Sequence, residues 1–141
     1  MIEKYATSVW TGTLKEGGGT LSSQSGALKD IPYSHATRFA GQKGANPEEL
    51  IAAAHSSCYA MFLSALMSGA GITPGNIEAR STVKMDPTTE GSPTVLAAHL
   101  DVKVSAPTEA AAIRDFAEKA KAACPISKLL KAEITLTVTV L

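Results

Sequence analysis

The sequence has 141 residues, with 13 basic and 13 acidic side chains and a formal net charge of zero. A chain of this length is most simply one domain, residues 1–141, large enough to bury a core without disulfide bonds. The balanced charge, without long runs of either sign, gives no support for binding to nucleic acid or to an anionic membrane surface. The first residues, MIEKYATSVW, lack the basic segment and apolar run of a signal peptide, so we predict a cytoplasmic protein.

The N-terminal part of the chain has the pattern of short strands. Two β-like runs within residues 5–25 flank the segment Lys15–Gly19, which is too rich in glycine to continue either strand and predicts the turn of a hairpin. Residues 27–39 predict a second pair of short extended pieces. The loop of residues 40–45 then brings Arg38 close, in sequence, to the next element.

The stretch from Asn46 to Gly71 predicts a long helix around which the rest of the chain is organised. Asn46 is a good N-cap, Pro47 fits the first helical position, and Gly71 suits the left-handed residue at the end. Between Leu50 and Gly71 no side chain is charged, and apolar or small residues lie on every side of the helix. A soluble domain buries such a helix completely.

Complete burial of this helix requires protein or lipid to cover every one of its faces. A single small sheet cannot easily surround a helix that is apolar on every face, so burial alone favours an intertwined homodimer. A membrane-spanning segment is the alternative, since about 20 apolar residues cross a bilayer. It fits less well, because His55 and four serines dilute the hydrophobicity and no Lys or Arg anchors the ends.

The second half of the chain alternates between strand and helix patterns. Residues 77–86 and 96–104 have the period-2 alternation of an antiparallel hairpin with one wet face. A helix capped by Thr108 follows, and its apolar stripe, continued by one turn, reaches Cys124. Pro125 begins a short helix, and residues 133–141 alternate as the clearest strand. The sum is an α+β fold.

Cys58 and Cys124 are the two cysteines, and three interpretations remain open for them. Both could be inert core residues, since free cysteine is among the most buried residue types. They could bind zinc with His55, although three ligands without a CxxC pair make a poor site. They could also form a thiol redox pair, for which Cys124 at the N-terminus of a helix has donors that favour a thiolate.

Arg38 and Glu48 are the charged residues best placed to assist a thiolate. The permanent charge of Arg38 precedes the long helix by a short loop, and Glu48 could hold the guanidinium in place. A plain interaction of Glu48 with the helix dipole is the alternative. Glu48 and Cys58 lie ten residues apart, about 15 Å along an unbroken helix. They therefore meet only through a helix break, through the arginine or through a second subunit.

His55 precedes Cys58 by three residues and shares a helix face with it, so a Cys–His ion pair is conceivable. A histidine at such a position is more often a hydrogen-bonded core residue. His35 and His99 have the patterns of a loop residue and a strand-surface residue.

Four segments in order along nearly the whole chain resemble the OsmC/Ohr family of hydroperoxide reductases. They are Thr37-Arg38-Phe39, Gly44 to Ile51, Ala53 to Cys58, and Cys124-Pro125-Ile126-Ser127-Lys128. The chain looks closer to the OsmC branch, osmotically inducible protein C, than to the Ohr branch, because the arginine stands in a TRF motif just before the central helix.

The resemblance implies a fold, an assembly and an activity. Antiparallel sheets would wrap around the long buried helix, two chains would form an intertwined homodimer, and the enzyme would be a cytoplasmic peroxidase acting in oxidative and osmotic stress. It would reduce organic hydroperoxides, and hydrogen peroxide less well, without a metal or organic cofactor. By the same resemblance a dithiol, such as that of a lipoylated protein, would be the reductant.

The resemblance also assigns residues to roles. Cys58 would be the peroxidatic cysteine, Cys124 the resolving cysteine, Arg38 the group that stabilises the thiolate, and Glu48 the residue that orients Arg38. It gives His55 no chemical step. Two other hypotheses remain at this level: a redox-sensing or ligand-binding dimer of the same fold without efficient turnover, and a zinc-dependent protein.

Overall fold

The computed structural model describes residues 1–141 as six strands and four helices. The strands are β1 (Ala6–Thr11), β2 (Gly18–Ser23), β3 (Ile31–Tyr33), β4 (Asn76–Asp86), β5 (Thr94–Ser105) and β6 (Glu133–Val140). The helices are α1 (His35–Phe39), α2 (Pro47–Gly69), α3 (Ala110–Ala123) and α4 (Pro125–Leu129). The predicted α+β class is confirmed. The chain divides into two compact units, Met1–Leu50 and Ile51–Leu141.

The first unit contains a three-stranded antiparallel sheet in the order β1-β2-β3. The predicted hairpin is confirmed, but Gly18 and Gly19 lie inside β2 rather than in the turn. A β-carbon at Gly19 would collide with the carbonyl of Val9 and the ring of Tyr33. Glycine is required at this position because the neighbouring strands approach its backbone closely. The low strand propensity of glycine, on which the predicted turn was based, does not take account of this packing.

Of the two extended pieces predicted for residues 27–39, the prediction of the second is wrong. Ile31–Tyr33 is a strand, but His35–Phe39 is the short helix α1. A capping box starts it: the backbone N–H of Thr37 donates to the Ser34 hydroxyl, and that of Ser34 donates to the Thr37 hydroxyl. These reciprocal bonds satisfy donors at the helix start and override the extended preference of the segment.

The predicted ends of the central helix are confirmed in α2. The Asn46 side chain accepts a hydrogen bond of 2.8 Å from the backbone N–H of Glu49. At the other end, Gly71 has φ of 77°, and the N–H of Ile72 reaches back to the carbonyl of Met67. This is a Schellman motif, in which a left-handed glycine ends the helix.

The second unit places α2 in a core with its own sheet. This sheet has the order β4-β5-β6, and β5 is antiparallel to β4 but parallel to β6. The expectation of antiparallel sheets is therefore wrong for the last pair, because α3 and α4 form the crossover connection that parallel strands need. The hydrophobic core is a cluster of fully buried side chains from α2, β5, α3 and the residue before α4: Tyr59, Leu63, Met67, Leu100, Val102, Val104, Ile113, Ala120 and Cys124. The alternation predicted for β4, β5 and β6 is observed in their burial. Glu109, not Thr108, is the N-cap of α3, and its side chain makes no capping bond.

In the single chain α2 is buried along one stripe only. That stripe is His55, Tyr59, Leu63 and Met67, spaced four residues apart. On another face, Met61 is 74% exposed. By length and composition alone α2 could also cross a membrane, a property it shares with core helices of soluble proteins. Complete burial would require a second copy of the chain, and the homodimer stays a prediction.

Candidate active site

Cys58 and Cys124 come into contact in the second unit. Their sulfur atoms lie 3.0 Å apart and are joined by a thiol hydrogen bond. Both thiols are free; Cys124 is completely buried, and Cys58 is half-buried. The two residues are 66 positions apart in the sequence, so only the packing of the start of α4 near the middle of α2 unites them. Two reduced thiols in contact are ready to form a disulfide after one is oxidised.

The start of α4 acts on Cys124. Cys124 is the N-cap residue, and Pro125 occupies the first turn, as predicted. The first backbone N–H groups of a helix have no partner within it, so they are available to a sulfur atom. Burial raises the pKa of Cys124, but the hydrogen bond with Cys58 and those from Ser127 and its neighbour Ile126 outweigh burial. The pKa of Cys124 therefore lies below its ordinary value.

Cys58 has the opposite electrostatic balance within its own unit. Burial raises the pKa of Cys58, and the hydrogen bond with Cys124 raises it further. The backbone of Ile126 lowers the pKa without compensating for these two effects. A thiolate on Cys58 at neutral pH therefore requires a positive charge from elsewhere.

His55 is fully buried and is held by two serines. Its Nδ1 atom lies 2.9 Å from the Ser81 hydroxyl on β4, and its Nε2 atom lies 2.9 Å from the Ser127 hydroxyl on α4. Burial lowers the pKa of His55, so the ring is neutral. The hydrogen-bonded core role weighed for this histidine matches the geometry, whereas no contact with the Cys58 sulfur is observed among its hydrogen bonds.

Arg38 and Glu48 form an ion pair in the first unit. Arg38 lies in the last turn of α1 and Glu48 in the first turn of α2, so the short loop between the helices brings them together. The Arg38 Nη2 atom lies 2.7 Å from Glu48 Oε1, and Nε lies 3.2 Å from both carboxylate oxygens. The guanidinium also lies 5.1 Å from the centre of the Phe39 ring. This geometry fixes the direction of the cation more firmly than a single contact could.

A cavity of about 360 Å³ adjoins this ion pair. Its walls are largely apolar, and they include Trp10, Leu14, Tyr33, Phe39, Pro47 and the side chain of Arg38. A cavity of this kind can hold an alkyl or aryl group next to a positive charge.

The four predicted site residues thus come together as two pairs, one pair in each unit. The serines Ser81 and Ser127 were not predicted as site residues, because each contacts His55 from a position 26 or 72 residues away along the chain. Ser127 stands three positions after Cys124, at the start of a helix, and that position was the only available signal. No three His, Cys, Asp or Glu side chains in residues 1–141 cluster closely enough to hold a metal ion.

The family of the chain follows from comparison with known proteins. A model of the family described as OsmC-like protein matches residues 40–139, well over half of the chain. This chain belongs to the OsmC-like family. The predicted family is confirmed, as is its OsmC branch, since a relative from Escherichia coli named peroxiredoxin OsmC is 44% identical over 136 residues. The alignment covers 96% of this chain and 94% of that relative.

Solved structures agree with the OsmC-like fold. An OsmC-like protein from Mycoplasma pneumoniae has a TM-score of 0.77 at 18% identity, covering 99% of this chain and 98% of the other. An organic hydroperoxide resistance protein from Elizabethkingia anophelis has a TM-score of 0.75 at 25% identity, covering 99% and 96% of the two chains. The predicted fold is confirmed by both. At the level of enzyme class, the named peroxiredoxin relative confirms the prediction of a peroxidase.

Proposed function

We propose that this OsmC-like protein is a thiol-dependent peroxidase that reduces organic hydroperoxides to alcohols, and hydrogen peroxide less well, in defence against oxidative and osmotic stress. The observation that carries the proposal is the 3.0 Å contact between the Cys58 and Cys124 sulfur atoms at the start of α4. The relatives named for peroxiredoxin and for organic hydroperoxide resistance support the same chemistry.

In the first step Cys58 is the nucleophile. Its thiolate attacks the terminal oxygen of ROOH, the S–O bond forms and the O–O bond breaks. The alkoxide leaves as ROH after taking a proton, and Cys58 becomes a sulfenic acid. Because burial raises the pKa of Cys58, the thiolate needs a cation, and Arg38 of the same chain or of the partner stabilises it. Glu48 holds the Arg38 guanidinium in a fixed direction.

In the second step Cys124 resolves the sulfenic acid. Its thiolate attacks the Cys58 sulfur, the S–S bond forms, and the S–O bond breaks. The departing hydroxide takes up a proton and leaves as water, which balances the proton lost by the Cys124 thiol. The lowered pKa of Cys124 supports this assignment, since it favours the attacking thiolate.

In the third step a dithiol reduces the disulfide by exchange and is itself oxidised to a disulfide. Cys58 is the accessible sulfur of the pair, because Cys124 is fully buried. The reductant therefore attacks Cys58, and Cys124 leaves as the thiolate. We assign this role to a lipoylated protein on the basis of the family resemblance.

The apolar cavity beside Arg38 supports the preference for organic hydroperoxides over hydrogen peroxide. Burying an alkyl or aryl group contributes about 25 cal/mol for each Å² removed from water, a gain that hydrogen peroxide cannot obtain. An intertwined homodimer in the cytoplasm, with residues 1–141 as one domain, completes the proposal. The exposed apolar face of α2 supports the homodimer, because the single chain covers only one stripe of that helix.

The test is oxidation of the reduced protein with one equivalent of tert-butyl hydroperoxide. We expect two thiols per chain to disappear and a peptide linking Cys58 to Cys124 to appear in mass spectrometry of the unreduced digest. Cys58→Ser should lose turnover, and Cys124→Ser should stop at a sulfenic acid that dimedone traps. If both thiols of the wild type survive, or if Cys58→Ser turns over normally, the proposal is wrong. A redox sensor of the same fold would form the disulfide once and show no steady-state turnover.

A further inference from the structure

His35 is the one histidine whose ring nitrogens make no hydrogen bond within the chain. The sequence has three histidines, and hydroxyl groups occupy both nitrogens of His55 and both nitrogens of His99. The ring of His35 instead packs on Phe39, with 4.9 Å between the ring centres. His35 is the first residue of α1 and is half-buried. Its nitrogen atoms, at least one of which always carries a hydrogen, are therefore available to a ligand.

The His35 side chain lines the apolar cavity of about 360 Å³ beside Arg38, and every residue of that cavity wall belongs to the first unit. Four other polar side chains line the same cavity. Each of them already makes a hydrogen bond within the chain: Trp10, Tyr33, Ser34 and Arg38. The imidazole of His35 is therefore the polar group of this wall that is not committed to the protein itself. A few polar groups in an apolar cavity fix the orientation of a bound ligand.

The imidazole of His35 and the guanidinium of Arg38 lie on one wall of the cavity. The two residues are three positions apart on α1, a spacing that places side chains on one face of a helix. Phe39 contacts both: its ring centre is 4.9 Å from that of His35 and 5.1 Å from the guanidinium carbon of Arg38. Glu48 fixes the direction of the guanidinium. A ligand with its reactive end at Arg38 and its apolar body in the cavity thus contacts the wall that carries His35.

The proposed peroxidase reaction places one particular atom at this wall. The sulfur attacks the terminal oxygen of ROOH, and the apolar cavity holds the organic group. The inner oxygen, which is bonded to that group, therefore lies between the attacking sulfur and the cavity. As the O–O bond breaks, the inner oxygen takes up the negative charge of the alkoxide. A fixed donor at the site of developing charge stabilises the transition state more than it stabilises the bound substrate.

We propose that His35 is a further catalytic residue of this reaction, and that its imidazole donates an N–H hydrogen bond to the inner oxygen of the organic hydroperoxide. The inference rests on the proposed function. The S–O bond forms and the O–O bond breaks as before, and the alkoxide takes its proton from water. His35 keeps its own protons, because a neutral imidazole already has an N–H donor. Alkyl and aralkyl hydroperoxides gain most from this donor, because an alkoxide is a poor leaving group.

The first experiment compares two oxidants that carry the same phenyl group. Cumene hydroperoxide releases an alkoxide, whereas peroxybenzoic acid releases benzoate, an anion that is stable without a donor. In His35→Phe, stopped-flow oxidation of Cys58 by cumene hydroperoxide should slow at least about tenfold, and oxidation by peroxybenzoic acid should stay within about twofold of wild type. His35→Gln retains an N–H donor and should recover most of the lost rate. The matched control is His99→Phe on β5 in the second unit, which should leave both rates unchanged.

The second experiment measures binding to the cavity without peroxide chemistry. Trp10 is the single tryptophan of the chain and lines the cavity, so its fluorescence reports a bound ligand. In a Cys58→Ser background, His35→Phe should weaken the binding of 2-phenyl-2-propanol, the alcohol product, about fivefold, as the loss of one hydrogen bond predicts. Binding of cumene, which has the same shape without the hydroxyl group, should change less than about twofold.

Three results would overturn the inference and leave the proposed function standing. They are equal slowing of His35→Phe with both oxidants, equal weakening of alcohol and cumene binding, and a His35→Gln variant that is as slow as His35→Phe. The first two would mean that the shape of the side chain matters rather than its hydrogen bond, and the third would mean that a donated N–H is not the cause. If neither oxidant oxidises Cys58 in the wild-type protein, the proposed function itself is wrong, and the catalytic role of His35 is wrong with it.

Discussion

The Glu48 carboxylate receives the Arg38 side chain through three contacts of 2.7 to 3.2 Å, and only 14% of the Glu48 side chain is exposed. Glu48→Gln keeps the shape of this residue and removes its charge. We expect oxidation of Cys58 by tert-butyl hydroperoxide to slow roughly tenfold, since Arg38 loses its charged partner. Stopped-flow measurement of the second-order rate constant checks this.

The control for that prediction is Glu49→Gln. Glu49 is the next residue of α2 and also lies in its first turn, so its removal changes the helix dipole interaction by a similar amount. Its rate constant should stay within about twofold of the wild-type value. Equal slowing in the two variants would mean that Glu48 acts only through the helix dipole, and it would contradict a role in orienting Arg38.

The exposed apolar face of α2 predicts that two chains form a homodimer through this face. Met61→Asp places a charge on that face, where Met61 is 74% exposed in the single chain. If a second copy covers the face, burying an unpaired carboxylate costs several kcal/mol, and the dimer should dissociate in sedimentation velocity. Thr82→Asp, on the wet face of β4, should leave the dimer intact. A wild-type protein that sediments as a monomer would contradict the prediction.

Two glycines near the end of α2 should respond to alanine with opposite signs. Gly69 is helical, with open space where a β-carbon would stand, so Gly69→Ala should stabilise the protein by about 0.5 to 1 kcal/mol. Gly71 has φ of 77°, and Gly71→Ala should destabilise it by about 1 kcal/mol. Urea unfolding of both variants measures the free energies. Two changes of the same sign would contradict this account of the helix end.

Acid should weaken the native state partly through His55. Burial lowers the pKa of His55 in the folded protein, so between that value and the ordinary 6.5 the unfolded chain binds more protons. Stability from this residue is therefore present above about pH 6.5 and is lost as the pH falls below it. His55→Gln should show a smaller loss of unfolding free energy between pH 7.5 and 5.5 than the wild type, and an equal loss in the two proteins would contradict this account.

The periodicity of apolar residues correctly predicted the strands and helices that bury one face and expose the other. The alternation of residues 77–86 and 133–141 predicted β4 and β6, and the apolar stripe through Ile113 and Ala117 predicted α3. These predictions succeeded because the burial of such elements depends on local spacing. Helix α1 escaped prediction, because five residues show no period and the capping box is a side-chain detail.

The site was only partly visible in the sequence. Cys58 and Cys124 were identified as candidates by residue type and resemblance, but their contact spans 66 residues and depends on how α4 packs. The histidine was read correctly as a hydrogen-bonded core residue. Its serine partners could not be identified, since serine occurs on many surfaces and only tertiary structure brings Ser81 and Ser127 to one ring.

The sulfur contact at 3.0 Å has a consequence for how the proposed peroxidase would withstand a large dose of oxidant. Under the proposed mechanism, capture of the sulfenic acid is intramolecular, with an effective concentration of thiol far above that of any peroxide in solution. A second hydroperoxide molecule must arrive before this capture to form the sulfinic acid, which thiols do not reverse. If Cys124 resolves the sulfenic acid as proposed, its tight placement would protect Cys58 from hyperoxidation, and loosening α4 would allow each molecule to be inactivated after a single turnover.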